Sequence, residues 1–125
     1  MFLNKKRINE AIEELTERQK KIERLMRETT FNPRNYLAHA AEKHSICFTI
    51  KKLNEFKKGN IPIDDFINKM KSKMEESESD ANKEMNLLLE EPTELVDVLI
   101  ATGSNLKVAA YIHAIREFEL LKGAY

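Results

Sequence analysis

Apolar residues recur along this chain at intervals of three, four and seven, which is the spacing of one face of a helix. In the first segment Ile8, Ala11, Ile12, Leu15, Ile22, Leu25 and Met26 follow that rule. Written as heptads, Ile8, Leu15 and Ile22 share one position, Ala11 and Leu25 occupy the next core position, and Arg18 interrupts the series. The spacing predicts an amphipathic helix over residues 4–29 with a narrow apolar stripe. Such a stripe suits the outer helix of a bundle. It also suits an arm that meets a second copy of the chain, with Ile8, Leu15, Arg18 and Ile22 as the contact residues of a homodimer.

Asn32-Pro33 marks a stop and a restart, because Asn caps helix N-termini and Pro fits the first helical position. A second helix is expected over residues 33–58, closed by Gly59 as its C-cap. Its buried side is read as Leu37, Ala40, Ala41, His44, Cys47, Ile50 and Leu53, widened by Tyr36, Ile46, Phe48 and Phe56. Small residues at 38, 40 and 41 would let another helix approach closely there. After the extended linker Asn60-Ile-Pro-Ile, Asp64 is expected to cap a third helix over residues 64–90. Its stripe is Ile67, Met70, Met74, Ser77, Ala81, Met85 and Leu88, and the helix is expected to continue through the polar run at residues 75–80.

Residues 95–121 form the most apolar stretch, with 17 of 27 positions apolar. A helix apolar on most sides is buried on most sides. The last helix is therefore expected over residues 92–122 at the centre of the molecule. Gly103-Ser104-Asn105 predicts a kink or break within it, since Gly costs about 1 kcal/mol in a helix interior. The fold class is thus all-α: a single domain, residues 1–125, built as an antiparallel bundle of about four helices, the last one kinked or broken near Gly103.

Composition supports this reading. Gly and Pro number three each, and charged residues make up 34%. The formal net charge is zero, which argues against a dedicated nucleic-acid binder or a polybasic membrane protein. The charge is nevertheless segregated: residues 32–60 carry +4 and residues 61–91 carry −5. Side-by-side packing of the basic second and acidic third helices accounts for that, as would separate faces for two partners or head-to-tail self-association. The single Cys47 allows no intrachain disulfide. No segment has the length of a signal-peptide core or of a membrane span, so the cytoplasm is the expected compartment. Lys, Asn and Ile together number 36, a bias of AT-rich coding such as phages and plasmids carry.

Three constellations bear on chemistry. His39, Glu42, His44 and Cys47 lie on one helix, but His-Ala-Ala-Glu-Lys-His misses the H-x-x-E-H zinc motif by one residue. His44 and Cys47 are therefore read as core residues, and no metal or other cofactor is expected. Residues 94–112 can be read as a helix-turn-helix with Gly103 in the turn, offering Asn105, Lys107, Tyr111 and His113 to DNA and backed by Lys51, Lys52, Lys57 and Lys58.

Glu75-x-x-Glu78 and Glu94-x-x-Asp97 place carboxylates at i,i+3 on two successive helices, an arrangement that can hold Mg²⁺. With the run Glu94-Leu-Val-Asp-Val-Leu-Ile, this pattern resembles the metal motifs of the MazG-like all-α nucleoside triphosphate pyrophosphatases, over about 25 residues. The resemblance implies magnesium bound by Glu75, Glu78, Glu94 and Asp97 and hydrolysis of nucleoside triphosphates to monophosphates. The first reading is a different one: a non-enzymatic helical protein that binds another protein as an adaptor, regulator or inhibitor. The segregated charge, the narrow-striped first helix and the adaptable Met70, Met74 and Met85 motivate it.

Overall fold

A computed structural model describes the backbone of residues 5–28, 32–90 and 95–123. It describes the side chains of those residues other than 33, 84, 85, 87–90 and 95–104. It contains four helices: α1 (Lys5–Glu28), α2 (Pro33–Lys58), α3 (Ile63–Glu90) and α4 (Leu95–Gly123). No strand occurs among the described residues. The helices have 24 to 29 residues, or roughly 36 to 44 Å at 1.5 Å per residue. None of the described helices is long and apolar enough to cross a membrane.

The chain runs up, down, up, down. In the hairpin of α1 and α2, Asn9 meets Lys57 at one end and Glu23 meets Lys43 near the other. α3 and α4 are antiparallel too, with Asp64 against Lys122 and Lys71 against Glu119. The pair across the middle, α2 and α4, is parallel: Phe48 faces Tyr111, Thr49 faces His113 and Phe56 faces Phe118. The principal contacts are α1 on α2, α2 on α4 and α4 on α3. The principal neighbours thus follow the order α1–α2–α4–α3. The basic α2 and acidic α3 are not principal neighbours, contrary to the expected side-by-side packing.

The core is one cluster. α1 contributes Ile8, Leu15 and Ile22; α2 Ile46, Leu53 and Phe56; α3 Ile63, Phe66, Ile67 and Met70; α4 Tyr111, Ala114 and Phe118. At the lower end Phe56, Phe66 and Phe118 meet pairwise, with ring centroids 5.1 to 5.5 Å apart. Such ring pairs add about 0.5–1.5 kcal/mol beyond burial. Ala110 and Ala114 are fully buried. Small residues there let α4 come close to α2, since interaxial distance follows the side chains at the contact.

Several expectations fail on local grounds. Of the kink or break expected at Gly103-Ser104-Asn105 the break is absent, since α4 is one helix through these residues. One glycine costs only about 1 kcal/mol in a helix, which burial of Ala110, Tyr111, Ala114 and Phe118 on the same helix readily outweighs. Asn32 caps α2 as expected, accepting from the Asn35 amide at 3.3 Å. Gly59 closes it, its amide donating to the Glu55 and Phe56 carbonyls, but at φ −88° and ψ 168°, an ordinary extended conformation. Asp64 is not the cap of α3. The helix already starts at Ile63, the Phe66 amide donates to the Pro62 carbonyl, and Asp64 sits in the first turn paired with Lys122.

The buried face of α2 is also rotated from the expected one. Ile46, Thr49, Leu53 and Phe56 are buried, while Tyr36, Leu37 and His44 are exposed and Ala40, Ala41, Cys47 and Ile50 are half-buried. α2 lies between two helices, so its apolar residues spread around the axis and no single stripe defines its inner side. By contrast, the α3 stripe lies where its spacing puts it, with Ile67, Met70, Ser77 and Ala81 buried and Met74 half-buried. The rest of that stripe, Met85 and Leu88, falls on side chains outside the described set.

Candidate docking surface on the first two helices

Among the described residues, the exposed large apolar side chain of greatest exposure, Leu37, lies on the α1–α2 hairpin. α1 turns its stripe of Ile8, Leu15 and Ile22 inward, at 2%, 2% and 5% exposure. One consequence is that Met26, a turn beyond Ile22, is only half-buried at the upper end. Across from it the first turns of α2 present Tyr36 and Leu37, exposed at 39% and 66%. Tyr36 and Lys43 are seven residues apart and share a face of α2. Together with Glu23, Met26 and Arg27 of α1 they line an open cleft of about 580 Å³.

Electrostatics fixes the wall of this cleft. The Lys43 ammonium lies 3.3 Å from the Glu23 carboxylate, and the Gln19 amide donates to the same carboxylate at 3.3 Å. The bond from Lys43, and then that from Gln19, hold the Glu23 carboxyl below its ordinary value of 4.5. The ion pair is solvent-exposed, so it orients side chains more than it stabilises the fold. Tyr, Met and Arg are the residue types enriched in protein interfaces, where an apolar centre sits within a polar rim. Met26, Tyr36, Arg27, Glu23 and Lys43 reproduce that composition.

The residues singled out from the sequence fall elsewhere. Ile8, Leu15 and Ile22 lie buried in the chain's own core. Arg18 alone of that set is exposed, 3.9 Å from Glu42 of α2. Glu75 and Glu78 face solvent on α3, while Glu94 and the Asp97 side chain lie outside the described residues. His39 is half-buried, His44 exposed and Cys47 half-buried, so His44 is not the core residue expected. Among the described residues no group of three or more His, Cys, Asp or Glu side chains is placed to hold a metal ion.

The helix-turn-helix reading needs a turn at Gly103, where α4 is continuous. Several of the side chains assigned to DNA are engaged within the chain. Tyr111 is buried against Phe48. His113 bonds Thr49. Lys107 lines a cleft of about 360 Å³ together with Lys73, Glu76 and Asp80. Lys52 pairs with Glu55 and lies over the Phe48 ring, and Lys57 donates to Asn9.

Thr49 is the residue that the pattern hid. It is polar and fully buried, its hydroxyl 2.8 Å from the Ser45 carbonyl and 2.6 Å from Nδ1 of His113. Its place between Ile46 and Leu53, at spacings of three and four, was the available signal. The chain matches no family model, no curated protein and no solved structure.

Proposed function

We propose that this chain is a non-enzymatic helical protein that acts by binding another protein, as an adaptor, regulator or inhibitor, through the upper end of its α1–α2 hairpin. One observation carries the reading: Tyr36 and Leu37, 39% and 66% exposed, stand side by side in the first turns of α2, and Tyr36 lines a cleft with Met26. A solvent-exposed leucine taken alone is ordinary. A Leu-Tyr pair beside a methionine-lined cleft, with Arg27, Glu23 and Lys43 around it, has the make-up of an interface centre and rim. Met26 adds adaptability, because an unbranched thioether fills irregular gaps.

The test is capture from the native host with a photo-reactive side chain at position 37, beside a Leu37→Asp variant. A protein cross-linked from position 37 and lost from the variant supports the reading. Capture of the same proteins by both forms, or of none by the wild type, ends it.

A further inference from the structure

Two buried hydroxyls on the α3–α4 face take no part in the docking surface. Ser77 of α3 and Tyr111 of α4 are each only 6% exposed. Neither hydroxyl has a hydrogen-bond partner among the described residues, where no side-chain nitrogen or oxygen is both sealed from solvent and unpartnered. Both hydroxyls therefore open onto accessible space, and the space that both residues line is the cleft of about 360 Å³. The fold itself would be served as well by apolar side chains of the same shape at these two positions. Lys73 and Lys107 line the same cleft, each four residues from one of the hydroxyls and so on the same helix face. A second cleft of about 120 Å³ adjoins it, sharing Lys73 and Tyr111, and is floored by Phe66 and Met70.

We propose that the α3–α4 cleft is a binding site for a small organic carboxylate with an apolar body. The register of Lys71–Glu119 and Asp64–Lys122, extended along the two antiparallel helices, brings Ser77 level with Tyr111. Lys73 then lies one turn to one side of the hydroxyl pair and Lys107 one turn to the other, each about 6 Å along its helix. An ionised carboxylate only accepts hydrogen bonds, so both hydroxyls donate to it and the two ammonium groups close on it from either side. The Lys73–Glu76 pair, 3.7 Å apart and exposed, is weak enough to be exchanged for the ligand. Charge selects the class of anion. Around the two clefts Lys52, Lys69, Lys73 and Lys107 stand against Glu55, Glu76 and Asp80, an excess of one positive charge. That suits a carboxylate better than a doubly charged phosphate monoester. The apolar body enters the second cleft, whose volume is close to the roughly 150 Å³ of cavities that take up benzene.

The full chain is titrated with benzoate, acetate and inorganic phosphate while its backbone amide NMR shifts are followed. Benzoate is expected to shift the amides of Ser77 and Tyr111 saturably. Acetate, which lacks the ring, is expected to reach the same residues at least about tenfold more weakly. No saturable shift with benzoate, or tighter binding of phosphate than of benzoate, overturns the proposal. Tyr111→Phe keeps the ring against Phe48 and removes only the hydroxyl, and Ser77→Ala does the same on α3. Each variant is expected to keep the wild-type urea midpoint and to bind benzoate about tenfold more weakly. Unchanged benzoate binding in either variant overturns the site. A lowered midpoint in both overturns it too, because the hydroxyls would then serve the fold.

Discussion

Phe118 of α4 stands edge-on to Phe56 of α2, the ring centroids 5.5 Å apart and the planes at 88°. Phe118 also stacks on Phe66 of α3 at 5.1 Å, so one fully buried ring joins three helices at the lower end of the bundle. Truncation there removes the ring's own burial and leaves a cavity that the two neighbouring rings cannot close. Phe118→Ala is expected to cost about 3–5 kcal/mol, read as a lower urea midpoint. A loss below about 1 kcal/mol, the range of an ordinary surface substitution, would show that the three rings do not form the core's lower end.

Leu15 supplies the corresponding test for α1. It is 2% exposed within the single chain, one heptad from both Ile8 and Ile22. Leu15→Ala should cost about 2–5 kcal/mol at every protein concentration. If this stripe also met a second copy, the wild-type unfolding midpoint would rise with concentration, as binding linkage requires. A midpoint independent of concentration is the expected result.

The number of helices and most of their bounds were legible because this chain punctuates its helices plainly. Asn32-Pro33 and Gly59 fall between apolar runs of helical period, and the α3 stripe from Ile67 to Ala81 has a single inner face. The buried face of α2 was not legible. Periodicity locates one stripe, whereas α2 is covered by α1 on one side and α4 on another, which shifts burial from His44 and Cys47 to Ile46 and Thr49. Tyr36 and Leu37 read as core for the same reason. Apolar character alone does not say which end of a helix its neighbours cover. At Gly103 the helix does not break, since a local propensity of about 1 kcal/mol is small against the packing of α4.

Gly59 gives a prediction of opposite sign to the usual one for a helix-ending glycine. Its φ of −88° is open to any residue, and an added Cβ would meet the Glu55 carbonyl oxygen at 3.5 Å, ordinary van der Waals contact. Gly59→Ala removes conformational freedom from the unfolded chain. It is expected to stabilise by about 0.4–1 kcal/mol in thermal or urea unfolding. A loss of similar size would mean that the turn into α3 adopts a left-handed conformation.

The ends of α3 and α4 should respond to alkali. The Asp64 carboxylate, first by its hydrogen bond and then by its charge, raises the Lys122 ammonium above its ordinary value of 10.5. For a group raised on folding, stability is fully present below the unfolded value and is lost as pH rises through the folded one. Both groups are exposed, so the effect is small and screened by salt. The expected outcome is that the wild type loses more stability above pH 10.5 than Asp64→Asn does. Parallel pH profiles would show that the pair contributes nothing in solution.

Leu37 separates a docking residue from a core residue most directly. A buried leucine in α2 cut back to alanine would cost about 2–5 kcal/mol. At 66% exposure Leu37 has little burial to lose, and Leu37→Asp should change stability by no more than about 0.5 kcal/mol. Urea unfolding of the variant checks this. A near-wild-type midpoint means that any loss of partner capture reports on the surface itself, while a fall of several kcal/mol, about the size of a core truncation, would place Leu37 inside the fold.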